Sequence, residues 1–216
     1  MEAKLVLVEF RIRGDLRFLS HAETARLFQR ACIRAGINIS YSQGFNPRPQ
    51  LSLPLPKSVG LELDNDLLCL WMLPDKQTLD CQELKEKLSA QLPTDCCLLS
   101  VAISQAKTPV QPETAVYVFA MKPEYLDNEL KTTIDRLMQS ENLNLDRRID
   151  DIGNIRNVNV RPFLEGIQIE GENIKVNCRI SQSGSIRVDE ILTLLKLDID
   201  KLAWPIRRTN IHWRQS

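Results

Sequence analysis

Net charge is the first thing missing from this chain: 28 Lys and Arg stand against 28 Asp and Glu. No overall basicity advertises a nucleic-acid partner, and any such case must rest on local clustering. Histidine is nearly absent, with only His21 and His212, so few side chains titrate near neutral pH. There is no G-x-S-x-G, H-E-x-x-H, P-loop or Rossmann glycine pattern, which leaves the chain without the sequence signatures of the commoner hydrolases, metalloproteases and nucleotide binders. The six cysteines, Cys32, Cys69, Cys81, Cys96, Cys97 and Cys178, are irregularly spaced, and Cys96-Cys97 is not C-x-x-C. Neither a zinc ribbon nor the cysteine triple of an iron–sulfur site results, so buried or free thiols, no metal and no cofactor are expected. No apolar run approaches the roughly 20 residues needed to span a bilayer. The first residues enter a strand pattern with no basic segment followed by an apolar one. A soluble cytoplasmic protein with no membrane partner is expected.

What is present is clustered. Residues 1–60 hold nine Lys or Arg against four Asp or Glu, and residues 61–110 hold four against eight. Leu5, Leu7, Glu9, Arg11 and Arg13 alternate with Val6, Val8, Phe10 and Ile12, the pattern of a half-buried strand with a basic end. Ser20 and Glu23 have capping-box spacing. They open a helix predicted over residues 21–35, with Gly36 placed to stop it. Arg26, Arg30 and Arg34 are four apart and stack along one helix face, where like charges repel by a few tenths of a kcal/mol per pair. Two readings stand: a solvated amphipathic face, or a row awaiting an anion.

Residues 40–60 cannot be helical, because Pro47, Pro49, Pro54 and Pro56 remove backbone donors and Gly44 admits a positive φ. A loop beyond about 12–15 residues without regular structure is usually functional or disordered. Disorder fits poorly with the recurring Tyr, Phe, Leu and Val. The stretch carries Tyr41, Phe45, Arg48 and Lys57 together with Ser42, Gln43 and Asn46, which reads either as a wrap over an apolar edge or as a binding loop.

Leu51 and Ser52 suggest a short strand inside that loop, residues 67–73 a buried strand, residues 78–92 a helix and residues 97–104 a further strand. The order is strand, helix, strand, strand, helix, strand, the ferredoxin-like succession. Residues 107–113 have linker composition. Then a strand at 115–121, a helix at 123–140, a charged turn at 144–151, strands near 155–160, 164–170 and 174–181, a helix at 188–197 and a strand at 205–213 repeat the order. The expectation is an α+β protein of two tandem ferredoxin-like (βαββαβ) units, residues 1–108 with the proline-rich loop 40–60, and residues 113–216.

Catalysis has few candidates. His21 beside Tyr41 could serve a metal-free endoribonuclease, and Asp146 with Asp150 and Asp151 is acidic without metal-site spacing. Single-stranded RNA binding accounts for more, since such sites join aromatic stacking to cations that follow the phosphates. Arg11, Arg13, Arg26, Arg30 and Arg34 are the expected phosphate contacts, joined by Arg17. Tyr41 and Phe45 would stack, and Gln43, Asn46 and Arg48 would add polar contacts, all in one basic, aromatic-edged groove. In the second half Arg147, Arg148, Arg156, Arg161, Arg179, Arg187, Arg207, Arg208 and Arg214 recur. An acidic protein partner would meet the same clusters.

Phe18-Leu19-Ser20-His21, the helix bearing Arg26, Arg30 and Gly36, and above all Tyr41-Ser42-Gln43-Gly44-Phe45-Asn46-Pro47-Arg48-Pro49-Gln50-Leu51-Ser52 resemble a radical-SAM-linked family of bacterial proteins of unknown function. Its members stand alone or follow cobalamin-binding radical SAM proteins. Weaker similarity follows at Asn159 to Phe163, Gly184 to Arg187 and Arg208-Thr209. The chain departs from the family at Arg48, often histidine there, and at Asn159-Val160, an aspartate–leucine pair there. The resemblance implies a non-enzymatic, RNA-binding accessory in a radical SAM system of RNA or ribosome modification, with RNA and a radical SAM protein as partners. It also implies the alternative of a module that docks that enzyme. The chain has no C-x-x-x-C-x-x-C of its own. The tandem architecture is similar to that of CRISPR repeat endoribonucleases in fold only.

Overall fold

Alternating apolar and polar side chains make a strand that buries one face, and the first strand does so. In β1 (Lys4–Ile12), Val6, Val8, Phe10 and Ile12 are fully buried. The computed structural model describes residues 3–73, 80–105, 110–148 and 153–214. Its contacts divide the chain into Met1–Pro112 with Trp213–Ser216, and Glu113–His212.

In the first unit β1 is followed by α1 (His21–Arg34), β2 (Leu51–Ser52), β3 (Glu62–Met72), α2 (Cys81–Ser89) and β4 (Cys96–Ile103). The strand order is β4-β1-β3-β2, with every pair antiparallel. Helix α1 starts where the sequence says: the Ser20 side chain accepts from the Glu23 amide, and the Glu23 carboxylate accepts from the Ser20 amide at 2.8 Å. The Ser20 amide foremost, and then the Ser20 hydroxyl, which donates to the same carboxylate at 2.7 Å, hold the Glu23 carboxyl below the ordinary range. Gly36 ends the helix at φ +64°, a conformation that costs glycine little. Thr24, Phe28, Ala31 and Cys32 form the buried stripe. Phe28 meets Phe10 edge to face at 4.7 Å, so α1 covers the β1 face that carries Phe10.

The second unit contains β5 (Gln111–Ala120), α3 (Asn128–Gln139), the hairpin β6 (Asn144–Arg148) and β7 (Ile155–Asn159), β8 (Leu164–Glu170), β9 (Asn173–Arg179), α4 (Val188–Leu195) and β10 (Arg207–Arg214). Its order, β10-β5-β9-β8, repeats that of the first unit. The register places Ala115 opposite Cys178, Tyr117 opposite Val176 and Phe119 opposite Ile174, all buried. The protein is α+β, and each unit has the ferredoxin-like βαββαβ order.

Three local expectations need correction. The charged stretch at 144–148 is a strand, because Asn144 to Arg148 pair rung by rung with Asn159 to Ile155; Asp150 and Asp151 lie outside the described residues. The helix predicted from residue 123 is two pieces, a 3-10 turn Pro123–Tyr125 and then α3, whose own N-cap is Asp127 accepting from the Leu130 amide at 2.8 Å. Residues 111–113 belong to β5 rather than to a linker, while 107–109 lie outside the described residues, as do 78 and 79 of the second predicted helix.

All six cysteines are free. Burial pushes the thiols of Cys32 and Cys96 up to about 12, Cys69 up to about 11, and Cys178 further in the same direction. A thiol-specific reagent applied to the folded protein at pH 8 is therefore expected to label only Cys81 and Cys97, the two half-exposed residues. Rapid modification of more than two thiols would contradict this. Among the described residues no cluster of His, Cys, Asp or Glu could hold a metal ion, and no helix is long and apolar enough to cross a membrane.

Candidate nucleic-acid interface

The edge strand of the first unit is split by an insertion. Ile39 bridges Met72 and the Ser40 amide donates to the Trp71 carbonyl at 2.7 Å, while Leu51 sits opposite Leu70 and Ser52 opposite Cys69. Consecutive rungs on β3, Trp71 and Leu70, thus face Ser40 and Leu51, and residues 41–50 leave the sheet between them. The neck is closed by backbone bonds. Gln50 donates to the Ser40 carbonyl at 2.7 Å, and its own carbonyl takes the Trp71 amide at 3.1 Å, standing in for that of Ser40. Above this, Tyr41 bridges Pro49, the Ser42 amide donates to the Arg48 carbonyl at 2.9 Å, and the Arg48 amide donates to Ser42 Oγ at 3.0 Å.

The result is a short looped-out hairpin whose tip carries Gln43 to Arg48, with the Phe45 ring standing fully in solvent. Gly44 has φ +133°, and a Cβ added there would meet nothing within 4 Å, so its requirement is conformational rather than steric. Phe45 is 106% exposed and Tyr41 45%. The structure therefore brings Tyr41, Gln43, Phe45, Asn46 and Arg48 together on one ordered projection.

Arg26 and Arg30 lie on the outer side of α1, one turn and about 6 Å of helix rise apart. Among the described residues neither has a carboxylate within salt-bridge distance. Arg34 is partly committed: its Nη2 donates to the Gln91 carbonyl at 2.5 Å and its Nε to Gln91 Oε1 at 3.3 Å. Arg34 ends the helix, and residues 38–40 then enter the edge strand from which the projection leaves.

Other expected partners are placed elsewhere. Arg11 alternates with Phe10 and so faces the side of the sheet opposite α1, which overturns a single groove shared with Arg26 and Arg30. Arg13 is taken up by Glu62 and Asp64, and Arg17 donates to the Gly14 carbonyl and stacks over Phe18 at 4.3 Å. His21 and Tyr41 are not juxtaposed. Arg17 and Leu19, just ahead of His21, bond to Gly60 and Lys57 before β3 begins, whereas Ser40 pairs with Trp71 near its far end. The strand between them spans roughly 30 Å, so the acid–base pair expected of a ribonuclease does not form. Lys57 is not a surface cation either. It is 6% exposed and donates to the carbonyls of Arg17 and Leu19 at 2.6 Å each.

Several second-unit arginines also serve internal partners. Arg147 grips Glu190 with Nε and Nη2, both at 2.7 Å, and donates to the Ser185 carbonyl. The hydrogen bonds to Glu190 raise the Arg147 pKa further. Arg161 closes the end of α3 by donating to the carbonyls of Met138, Ser140 and Leu164. Arg179 pairs with Glu165 at 2.9 Å, and Arg208 is 1% exposed. Asn159 accepts the amides of Leu143 and Arg161, a turn-fastening role. No local signal in the sequence marks these pairings, because the partners lie up to 43 residues apart.

A family model described as "Uncharacterized protein conserved in bacteria (DUF2344)" matches residues 6–188. No curated protein matches the chain. Among solved structures, a Cbf5-Nop10-Gar1 complex is similar at 8% identity and TM-score 0.46, over 95% of this chain and 48% of that one, so the present chain spans about half its length. The acetolactate synthase small subunit from Thermotoga maritima is similar at 13% identity and TM-score 0.28, over 99% and 97% of the two chains.

Proposed function

We propose, from the premise that this chain belongs to the bacterial family just described, that it is a non-enzymatic RNA-binding accessory protein. The observation that carries the reading is the ordered projection of residues 41–50. It carries an exposed aromatic tip and Arg48, and it leaves the edge strand that follows α1, whose exposed Arg26 and Arg30 have no carboxylate within salt-bridge distance among the described residues. Guanidinium groups recognise phosphate by planar, bidentate hydrogen bonding. Aromatic rings beside such cations provide the sequence-tolerant part of single-strand binding. The radical SAM link, to a system modifying RNA or ribosomes, rests on the resemblance of the 41–52 motif and the α1 arginines.

Binding of total RNA across a salt series tests the electrostatic part. The logarithm of affinity should fall linearly with the logarithm of salt, and Arg26→Glu/Arg30→Glu should flatten the slope by about 1.4, at roughly 0.7 per lost single-strand phosphate contact. Absent or salt-independent binding would remove the proposal.

One observation favours a second reading. The tip is convex and its phenyl ring is fully exposed, a shape that also suits an apolar pocket on a protein, so a module docking a radical SAM enzyme is the alternative. Co-purification with that enzyme, lost in Arg26→Glu/Arg30→Glu while no RNA is bound by the unaltered protein, would select it.

A further inference from the structure

A phenyl ring held clear of every neighbouring surface limits the kind of nucleic acid that it can meet. Phe45 is 106% exposed, and it stands between Gly44 and Asn46 in the part of the hairpin beyond the Ser42–Arg48 bonds. In duplex RNA each base is stacked on both faces, and the deep, narrow major groove keeps side chains from base edges. An unpaired base offers a whole face instead.

We infer that the 41–50 projection selects unpaired bases of single-stranded RNA over duplex RNA, with Phe45 as the stacking platform. The inference rests on the RNA-binding reading and specifies its substrate class.

Two further observations support it. The base of the projection is already fixed, by the two Ser42–Arg48 bonds, the Gln50 neck and the fixed φ of Pro47 and Pro49, so the ordering cost of stacking is confined to the tip. Gln43 and Asn46 flank the ring in sequence, with no protein hydrogen bond to either side-chain amide among the described residues. Each carries both donors and an acceptor for the edge of a base that lies on the ring. Arg26 and Arg30 supply attraction common to single and double strands, so the discrimination resides in the tip.

The test uses the full chain, a fluorescent 12-nucleotide single strand without self-complementarity, and its 12-base-pair duplex at the same salt. The single strand should bind at least about tenfold more tightly. Phe45→Ala should weaken single-strand binding by roughly tenfold while leaving duplex affinity and the salt slope unchanged. Phe45→Trp should retain the preference and Phe45→Leu should lose it, because leucine keeps apolar bulk but has no π face. Equal affinity for the two RNAs, or undiminished single-strand affinity of Phe45→Leu, would overturn the inference and leave RNA binding itself standing. Absence of salt-dependent binding to either RNA would overturn both. The far-ultraviolet circular dichroism of the variants, whose altered side chain lies at an exposed tip, should match that of the unaltered protein.

Discussion

Glu190→Ala should lower stability by about 3 kcal/mol and the melting temperature by roughly 10 °C. The carboxylate of Glu190 is nearly buried, at 9% exposure, and one oxygen takes Arg147 Nε while the other takes Arg147 Nη2 and the Arg187 amide that opens α4. Removing it leaves a largely buried guanidinium that keeps, among the described residues, the Ser185 carbonyl and the nearby Asp189 charge, and it unpairs a helix amide. Glu190→Gln keeps an acceptor and loses the charge, so it should cost about half as much. Calorimetry of both variants measures this. A loss below about 1 kcal/mol for the alanine variant would mean that the pair behaves as an ordinary surface ion pair. The β6–β7 hairpin depends on the same contact, so amides of residues 144–148 should exchange faster in Glu190→Ala.

Lys57→Met should cost about 2–3 kcal/mol in urea unfolding with an unchanged slope. Methionine fills similar volume but donates nothing, so the carbonyls of Arg17 and Leu19 lose a charged donor at 2.6 Å. Those carbonyls belong to the turn that leads into α1, and the Gly60 amide bonds to the Arg17 carbonyl as well. The variant should therefore loosen the descending arm of the proline-rich segment, seen as faster exchange at Gly60. Lys57→Arg should not restore stability, because a planar fork cannot take the compact place of an ammonium among backbone carbonyls. A neutral Lys57→Met would show that water can replace the lysine there.

The parts of this fold legible in the sequence are those set by neighbours a few residues away. Ser20 with Glu23, Gly36 after α1 and the alternation of β1 are local signals, and together with element order they are enough for the βαββαβ pattern in both units. The parts that cannot be read depend on distant partners. Lys57 has the look of a binding-loop cation because nothing nearby in sequence marks the carbonyls that surround it, 38 and 40 residues earlier. Arg147 and Arg161 resemble phosphate contacts for the same reason. The β6 strand escapes a pattern search because a two-stranded ribbon buries too little of either face to impose apolar alternation. At the candidate site, composition singles out the stretch 40–60, but not that residues 41–50 emerge from a split edge strand, nor that Arg11 lies across the sheet from α1.

The matched rungs on either side of that split make the projection excisable. Joining Ser40 directly to Leu51 would let the Ser40 carbonyl accept the Trp71 amide itself, and β2 would become one uninterrupted strand along β3. Projection and scaffold are in that sense separate cassettes. The same junction should also accept a foreign loop, which would make this edge a graft point on the domain.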